Sequence, residues 1–331
     1  AEEAAQSKTL SVTAANIEKA GLTDGQTIQI RAVLWDVAGN RVDGTTFANA
    51  LTIDQTAPTV DEVTSDANDG LTNPYKVGTT VDLKVSFDEV VVVVTGAGTP
   101  TLQLDTDDTP GSVNSEASYN SGTGTKFPLF RLTVALNNYS EDLNYRATTS
   151  LVLNNGTIRD AAGNDATLTL PDPANASALA QKKTFWIDGV VPVIQTVGAV
   201  TTIGDTIVTG YWNAKNTGLT VVVPLVSTDI SLRGGKIQLQ AQAIDAAVTG
   251  NWTNLEALTT ILTANVAAGS QTITASKIGT ANPDFEEIDE FTDGDVVSIR
   301  ALVSDLAGNA STFTASNTTL TVDQTYPSTS T

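Results

Sequence analysis

The chain has 331 residues, with 17 Lys and Arg against 37 Asp and Glu for a net charge of −20, and it contains no Cys, His or Met. Without Cys and His there is no disulfide framework, no Ser-His-Asp or Cys-His catalytic pair and no common zinc site. The carboxylate excess repels nucleic acid and anionic lipid and attracts divalent cations, and the longest purely apolar run, Val90 to Val94, is far too short for membrane insertion as a helix.

Near the start, "TAANIEKAGL" (13–22) allows one short turn of helix. In "TIQIRAVLWD" (27–36), Ile28, Ile30, Ala32 and Leu34 alternate with Gln29, Arg31, Val33 and Trp35. That period of two predicts a strand with one buried face. Trp35 then faces outward, either as a contact to sugar or another subunit, or under cover of a neighbouring loop or a missing half-unit. The strand ends in "LWDVAGN" (34–40), a run that returns as "IRDAAGN" (158–164) and "VSDLAGN" (303–309).

A second mark follows each of these: "IDQTAP" with Asp54 and Pro58, "IDGVVP" with Asp188 and Pro192, "VDQTYP" with Asp323 and Pro327. The three acids are spaced by 134 and 135 residues, a period that signals tandem units. Pro fixes φ and holds the residue before it extended, so each mark reads as a stiff linker.

Further strands are predicted in "YKVGTTVDLKVSF" (75–87), "TLQLD" (101–105), "FRLTVAL" (130–136), "GKIQLQAQAI" (235–244) and "TDGDVVSIRAL" (292–302). Many short alternating strands bounded by Gly, Asn, Asp and Pro predict an all-β chain of two-sheet sandwiches. The acidic runs "LDTDDTPG" and "PDFEEIDEFTDGD" read as a turn and a solvated loop, the latter lacking the spacing of an EF-hand.

The marks divide the chain into residues 1–57, the last part of a unit; 58–191 and 192–326, two whole units; and 327–331, the start of another linker. Matched to the third unit, the first lacks the counterpart of roughly 193–263. Residues 1–59 are therefore expected to belong to a longer array or to be completed by another chain. The lack of Met even at position 1 fits a processed chain or a piece of something longer.

The succession of strand, D-x-A-G-N turn, strand and V-D-x-T-x-P linker resembles the tandem bacterial immunoglobulin-like repeats of very large cell-surface proteins, over almost the whole chain. The resemblance implies an extracellular or cell-surface location and a role as adhesin stalk, surface-layer module or spacer. It also implies calcium at domain junctions.

The repeated turn has two readings. Turn chemistry alone suffices: Asp accepts backbone N–H groups, Gly takes positive φ and Asn tolerates the left-handed region. In the second reading, strand parity brings each turn to the preceding linker. Asp54 then meets Asp24 on one side and Asp160 with Asn164 on the other, and Asp188 meets Asp142 on one side and Asp305 with Asn309 on the other. Such oxygen-only clusters suit Ca2+, which takes six to eight oxygen ligands in loose geometry.

No phosphate loop, nucleophile elbow or aromatic-lined carboxylate cleft is evident, and acids recurring in every unit suit scaffolding, so no enzymatic activity is expected. The expected role is structural: a rod, filament or surface lattice that self-associates or packs through neighbouring domains of the same protein. The alternatives are an adhesin stalk and a carbohydrate-binding module with glycan partners.

Overall fold

The computed structural model describes residues 9–13, 21–47, 51–69, 73–108, 114–244, 250–277, 285–288 and 291–328. The helical turn predicted at 13–22 falls largely outside them. What is described is almost entirely strand and turn, with two short helices, Leu179–Lys182 and Thr263–Ala268. Among the described residues, no helix is long and apolar enough to cross a membrane.

Residues 63–187 and 197–322 each enclose a hydrophobic core, and the two cores share no residue. In the C-terminal one, Val296–Ser304 alternates as the sequence predicts, with Val297, Ile299, Ala301 and Val303 buried. This strand lies at the centre of a sheet ordered Tyr211–Asn213, Leu320–Asp323, Val296–Ser304, Lys236–Ile244, Thr253–Thr260. A second sheet, Val200–Gly204, Asn216–Pro224 and Ser270–Ser276, contributes Val200, Leu219, Val221, Val223 and Ile273 to the same core. That is a β-sandwich. Trp212 closes one end against Phe285, their ring centres 4.5 Å apart, and donates its indole N–H to Glu286 at 3.0 Å.

The middle core is built the same way. Its main sheet runs Asn144–Tyr145, Thr101–Asp105, Ser115–Ser121, Leu129–Thr133, Thr80–Phe87, Val60–Thr64. Leu83, Val85, Leu102, Leu104, Phe130 and Leu132 turn inward and are buried. Each such side chain contributes about 1.5–3 kcal/mol by leaving water, so the alternation fixes which face is inside. The unit ends with Ile187–Asp188, flanked by Tyr139–Ser140 and, in parallel, by Tyr75–Lys76.

Residues 21–57 carry less. Arg31–Trp35 pairs with Arg41–Thr46 across the 36–40 turn, and Thr27–Ile28 pairs with Leu51–Thr52. The alternation predicted for 27–36 is present in sequence, but both of its faces are open: Leu34 and Trp35 are 65% and 63% exposed.

Candidate metal centres at the joints

All three D-x-x-G-N runs form one turn. Asp160 accepts the backbone N–H groups of Gly163 at 2.6 Å and Asn164 at 2.8 Å, and the Asn164 side-chain amide at 2.7 Å. Asp305 accepts the Asn309 backbone and amide nitrogens at 2.9 and 2.8 Å, and Asp36 those of Asn40 at 2.8 and 2.7 Å. Gly39, Gly163 and Gly308 sit at φ +88°, +102° and +85°, a region open to Gly without the Cβ penalty. In the two later turns the asparagine also reaches out of its own unit.

At the first joint, the Asn164 amide donates to the Asp54 carbonyl at 3.2 Å and the Thr56 carbonyl at 3.3 Å. This sets Asp160 beside the linker acid. Asp54, Glu89 and Asp160 each bring one carboxylate oxygen to within 4.8 Å of the others. Charges at such separations repel by about 1 kcal/mol per pair in water and about 4 near a protein surface. Glu89 registers this: burial first, then Asp54 and Asp160, raise its pKa, against the opposing charge of Lys126. For Asp160, burial pushes upward but is outweighed by the hydrogen bonds from Asn164 and Gly163, so its pKa is lowered.

The second joint repeats the plan in a drier place. The Asn309 amide donates to the Asp188 carbonyl at 2.8 Å and the Val190 carbonyl at 3.2 Å, while its oxygen accepts the Val77 N–H at 3.2 Å. Asp188 is fully buried; one carboxylate oxygen accepts the Val190 N–H at 3.1 Å and the other, Oδ2, has no hydrogen-bond partner. Asp229 holds the Ser231 hydroxyl at 2.5 Å on one oxygen, and its buried Oδ2 is likewise without a partner.

Burial, then the charges of Asp305 and Asp229, push Asp188 up to about 8. Burial also raises Asp305 to about 6, against the hydrogen bonds of Asn309, and raises Asp229 against those of Ser231. Buried polar atoms are rarely left unpaired, so two orphaned carboxylate oxygens in one joint call for a proton or a cation. Beside them lies a cavity of about 130 Å³, lined in part by Tyr139, Val190, Val193 and Asp229.

Of the eight ligands expected from sequence, the structure places Asp54 with Asp160 and Asn164, and Asp188 with Asp305 and Asn309. The asparagines present nitrogen to the joint: they clasp turn to linker, leaving carboxylates as the oxygen donors. Asp24 is exposed and holds the linker instead, accepting the Gln55 N–H and the Thr56 hydroxyl. Asp293 does the same for Gln324 and Thr325.

Asp142 does not take the corresponding place at the middle unit's end. Antiparallel pairing sets Tyr139 opposite Asp188, and the Leu143 N–H donates to the Phe185 carbonyl at 2.9 Å, so Asp142 lies back along the strand from the linker acid. Burial and, after it, the charge of Asp108 raise its pKa. The linker there reads Asp188-Gly189-Val190, with no hydroxyl to offer, and Gly189 donates its N–H to the Asn138 carbonyl at 2.6 Å.

Glu89 and Asp229 escaped the sequence reading. Both follow the strand that occupies the same place in each sandwich, Thr80–Phe87 and Asn216–Pro224. They stand 35 and 41 residues past their linker acids. The six-residue difference hides them from a search on spacing; an acid in the loop after each second long strand is the signal that would have found them.

No protein-family model matches the chain, and no curated protein matches it significantly. Among solved structures, the chicken CNTN1 FN1-FN3 domains are similar at 7% identity and a TM-score of 0.28, over 90% of this chain and 75% of that one. A mutant Salmonella alpha-2-macroglobulin is similar at 11% identity and a TM-score of 0.20, over 90% of this chain and 19% of that one. Neither likeness bears on function.

Proposed function

We propose that the chain is a non-catalytic structural segment of an extracellular surface protein, in which successive immunoglobulin-like units are stiffened end to end by calcium at their joints. The units are residues 58–191 and 192–326, with 1–57 as the last part of another. The observation that carries the reading is the convergence of Asp54, Glu89 and Asp160 at the first joint, with their oxygens within 4.8 Å of one another, and the return of linker acid, turn acid and asparagine clasp at the second. Asp54, Glu89 and Asp160 would hold one ion as they stand; at the second joint Asp188, Asp229 and Asp305 would have to draw closer to share another, with the unpartnered Oδ2 atoms of Asp188 and Asp229 as its first ligands. Water and linker carbonyls would supply the remaining oxygens of a six- to eight-fold shell.

Calcium would neutralise the repulsion at each joint and remove a hinge, turning linked beads into an extended element. An ion that binds only the folded joint raises stability by mass action. The test is thermal melting and X-ray scattering of the chain in calcium and then in excess chelator. Calcium should raise Tm and lengthen the particle, and Asp188→Asn should blunt both effects. Unchanged Tm and maximum dimension on chelation would leave the turn reading alone.

A further inference from the structure

The comparison of residues 21–57 with the third unit identifies a surface that the calcium reading does not use. Counting 269 residues on, Ile28, Ile30, Ala32, Leu34 and Leu51 match Val297, Ile299, Ala301, Val303 and Leu320. In the third unit these five are buried, at 0–1% exposure. In the first, Ile30, Leu34 and Leu51 are 48%, 65% and 51% exposed. Matching apolar side chains, in the same alternation, are core in one place and open in the other.

What covers them in the third unit is visible. Lys236–Ile244 pairs with the free edge of Val296–Ser304, setting Ile237 opposite Val303, Leu239 opposite Ala301 and Ala241 opposite Ile299. The second sheet then lies over that face. Arg31–Trp35 pairs with Arg41–Thr46 on one edge, and among the described residues nothing pairs with the other.

A charged side chain gives the same answer. Arg300 donates to Gln240 Oε1 at 2.9 Å and lies 4.1 Å over the Trp252 ring, both supplied by the part of the unit that precedes it. Its match, Arg31, has neither and rests 3.5 Å from Asp43, with both side chains about half exposed.

We infer that the face of Ile28, Ile30, Ala32, Leu34 and Leu51, with the open edge of Arg31–Trp35, is a docking surface for the front half of an immunoglobulin-like unit built like residues 197–269. The partner is a polypeptide that adds an antiparallel strand at the edge. It lays an apolar sheet on the face and presents a hydrogen-bond acceptor and an aromatic ring to Arg31. The contact repeats an interface this chain already makes inside its third unit. A second copy is not the occupant: its own front half is paired with its own back half, and exchanging it would uncover an equal face elsewhere.

The probe is a polypeptide with the sequence of residues 193–269, added to the full chain and read by hydrogen exchange. Amides of residues 31–35 should slow at least about tenfold in the mixture, in chelator as well as in calcium. The Leu34→Asp chain should lose that protection while its residues 296–304 exchange as before. Because the free polypeptide can aggregate, the same segment is also fused ahead of Ala1 through a flexible linker, with the same protection expected. Unchanged exchange at residues 31–35 in the fusion overturns the inference, as does equal protection in Leu34→Asp. Since no joint acid lies on this face, a failure here leaves the calcium reading standing, and a failure of that reading leaves this one.

Discussion

The two joints use one local motif and reach opposite electrostatic states. Asp160 and Asp305 occupy the same turn, and each is held by the backbone and side chain of the asparagine four residues on. Yet the Asp160 pKa is lowered and that of Asp305 is raised to about 6. The hydrogen bonds are alike, so they do not decide the difference. At the first joint the linker acid Asp54 is exposed and water shares the charge; at the second, Asp188 is fully buried and faces two further acids. Desolvation then outweighs the hydrogen bonds that win at the first joint. A motif recognised by its residues thus has a charge state set by what packs around it.

The largest expected effect lies in the pH dependence of the chelated protein. A group whose folded pKa is raised contributes stability that is complete below its unfolded pKa and is lost as pH rises through the folded one. With Asp188 at about 8, most of that loss falls between pH 5 and pH 8. At about 1.36 kcal/mol per unit it amounts to roughly 3–5 kcal/mol, a large part of the 5–15 kcal/mol that holds a typical domain folded. Asp305, raised to about 6, acts in the same sense. Urea denaturation in chelator should therefore show higher stability at pH 5 than at pH 8, and Asp188→Asn should flatten the difference. Calcium should reverse it, because the ion needs the carboxylates ionised. At the first joint the signs are mixed: the lowered Asp160 favours the folded state above its unfolded pKa and loses that on acidification, while the raised Glu89 acts in the same sense as Asp188. A chelated chain most stable at pH 8 would mean that the second joint opens to water and its acids are not desolvated.

A smaller contrast separates the clasps. Asn309 is buried and joins the Asp188 and Val190 carbonyls, the Asp305 carboxylate and the Val77 N–H. Removing its side chain strands several buried groups at once, and each costs about 1–3 kcal/mol when left unpaired. Asn309→Ala should lower stability by roughly 2–4 kcal/mol. Asn164→Ala leaves its linker carbonyls within reach of water and should cost about 1 kcal/mol or less. Equal losses in paired melts would erase the distinction between a dry joint and a wet one.

The sequence carried the strands, the period and the turns because each rests on local chemistry. The alternation from Val296 to Ser304 can bury only one face, and the Asp-to-Asn turn closes on itself. It also placed Asp54 near Asp160 and Asp188 near Asp305, since strand parity fixes which end of a sandwich a loop occupies. Glu89 and Asp229 were hidden because the approach to the second long strand, the strand itself and the loop after it all differ in length between units, so no fixed interval links them to the linker acids. Asp142 was misplaced for the converse reason. The middle unit ends with Ile187–Asp188 held between Tyr139–Ser140 and Tyr75–Lys76, and a loop analogy drawn from Asp24 does not carry over to that arrangement. Burial was the least legible quantity of all. Nothing in "IDGVVP" as against "IDQTAP" announces that one linker acid is fully enclosed and the other exposed.

The smallest effect is a control on the turn itself. Gly163 and Gly308 both have positive φ, and a Cβ built on either has room: nothing lies within 4 Å of the first, and only the Lys76 Nζ, at 4.0 Å, near the second. The penalty of Gly→Ala is therefore the left-handed backbone alone, about 1–2 kcal/mol, and should be equal at the two positions despite their different joints. Matched melts of Gly163→Ala and Gly308→Ala test this. Equality would show that the turn is an autonomous element and that burial acts on the acids it presents; a markedly larger loss for Gly308→Ala would mean that the second joint's packing reaches into the turn and that the two motifs differ in more than their surroundings.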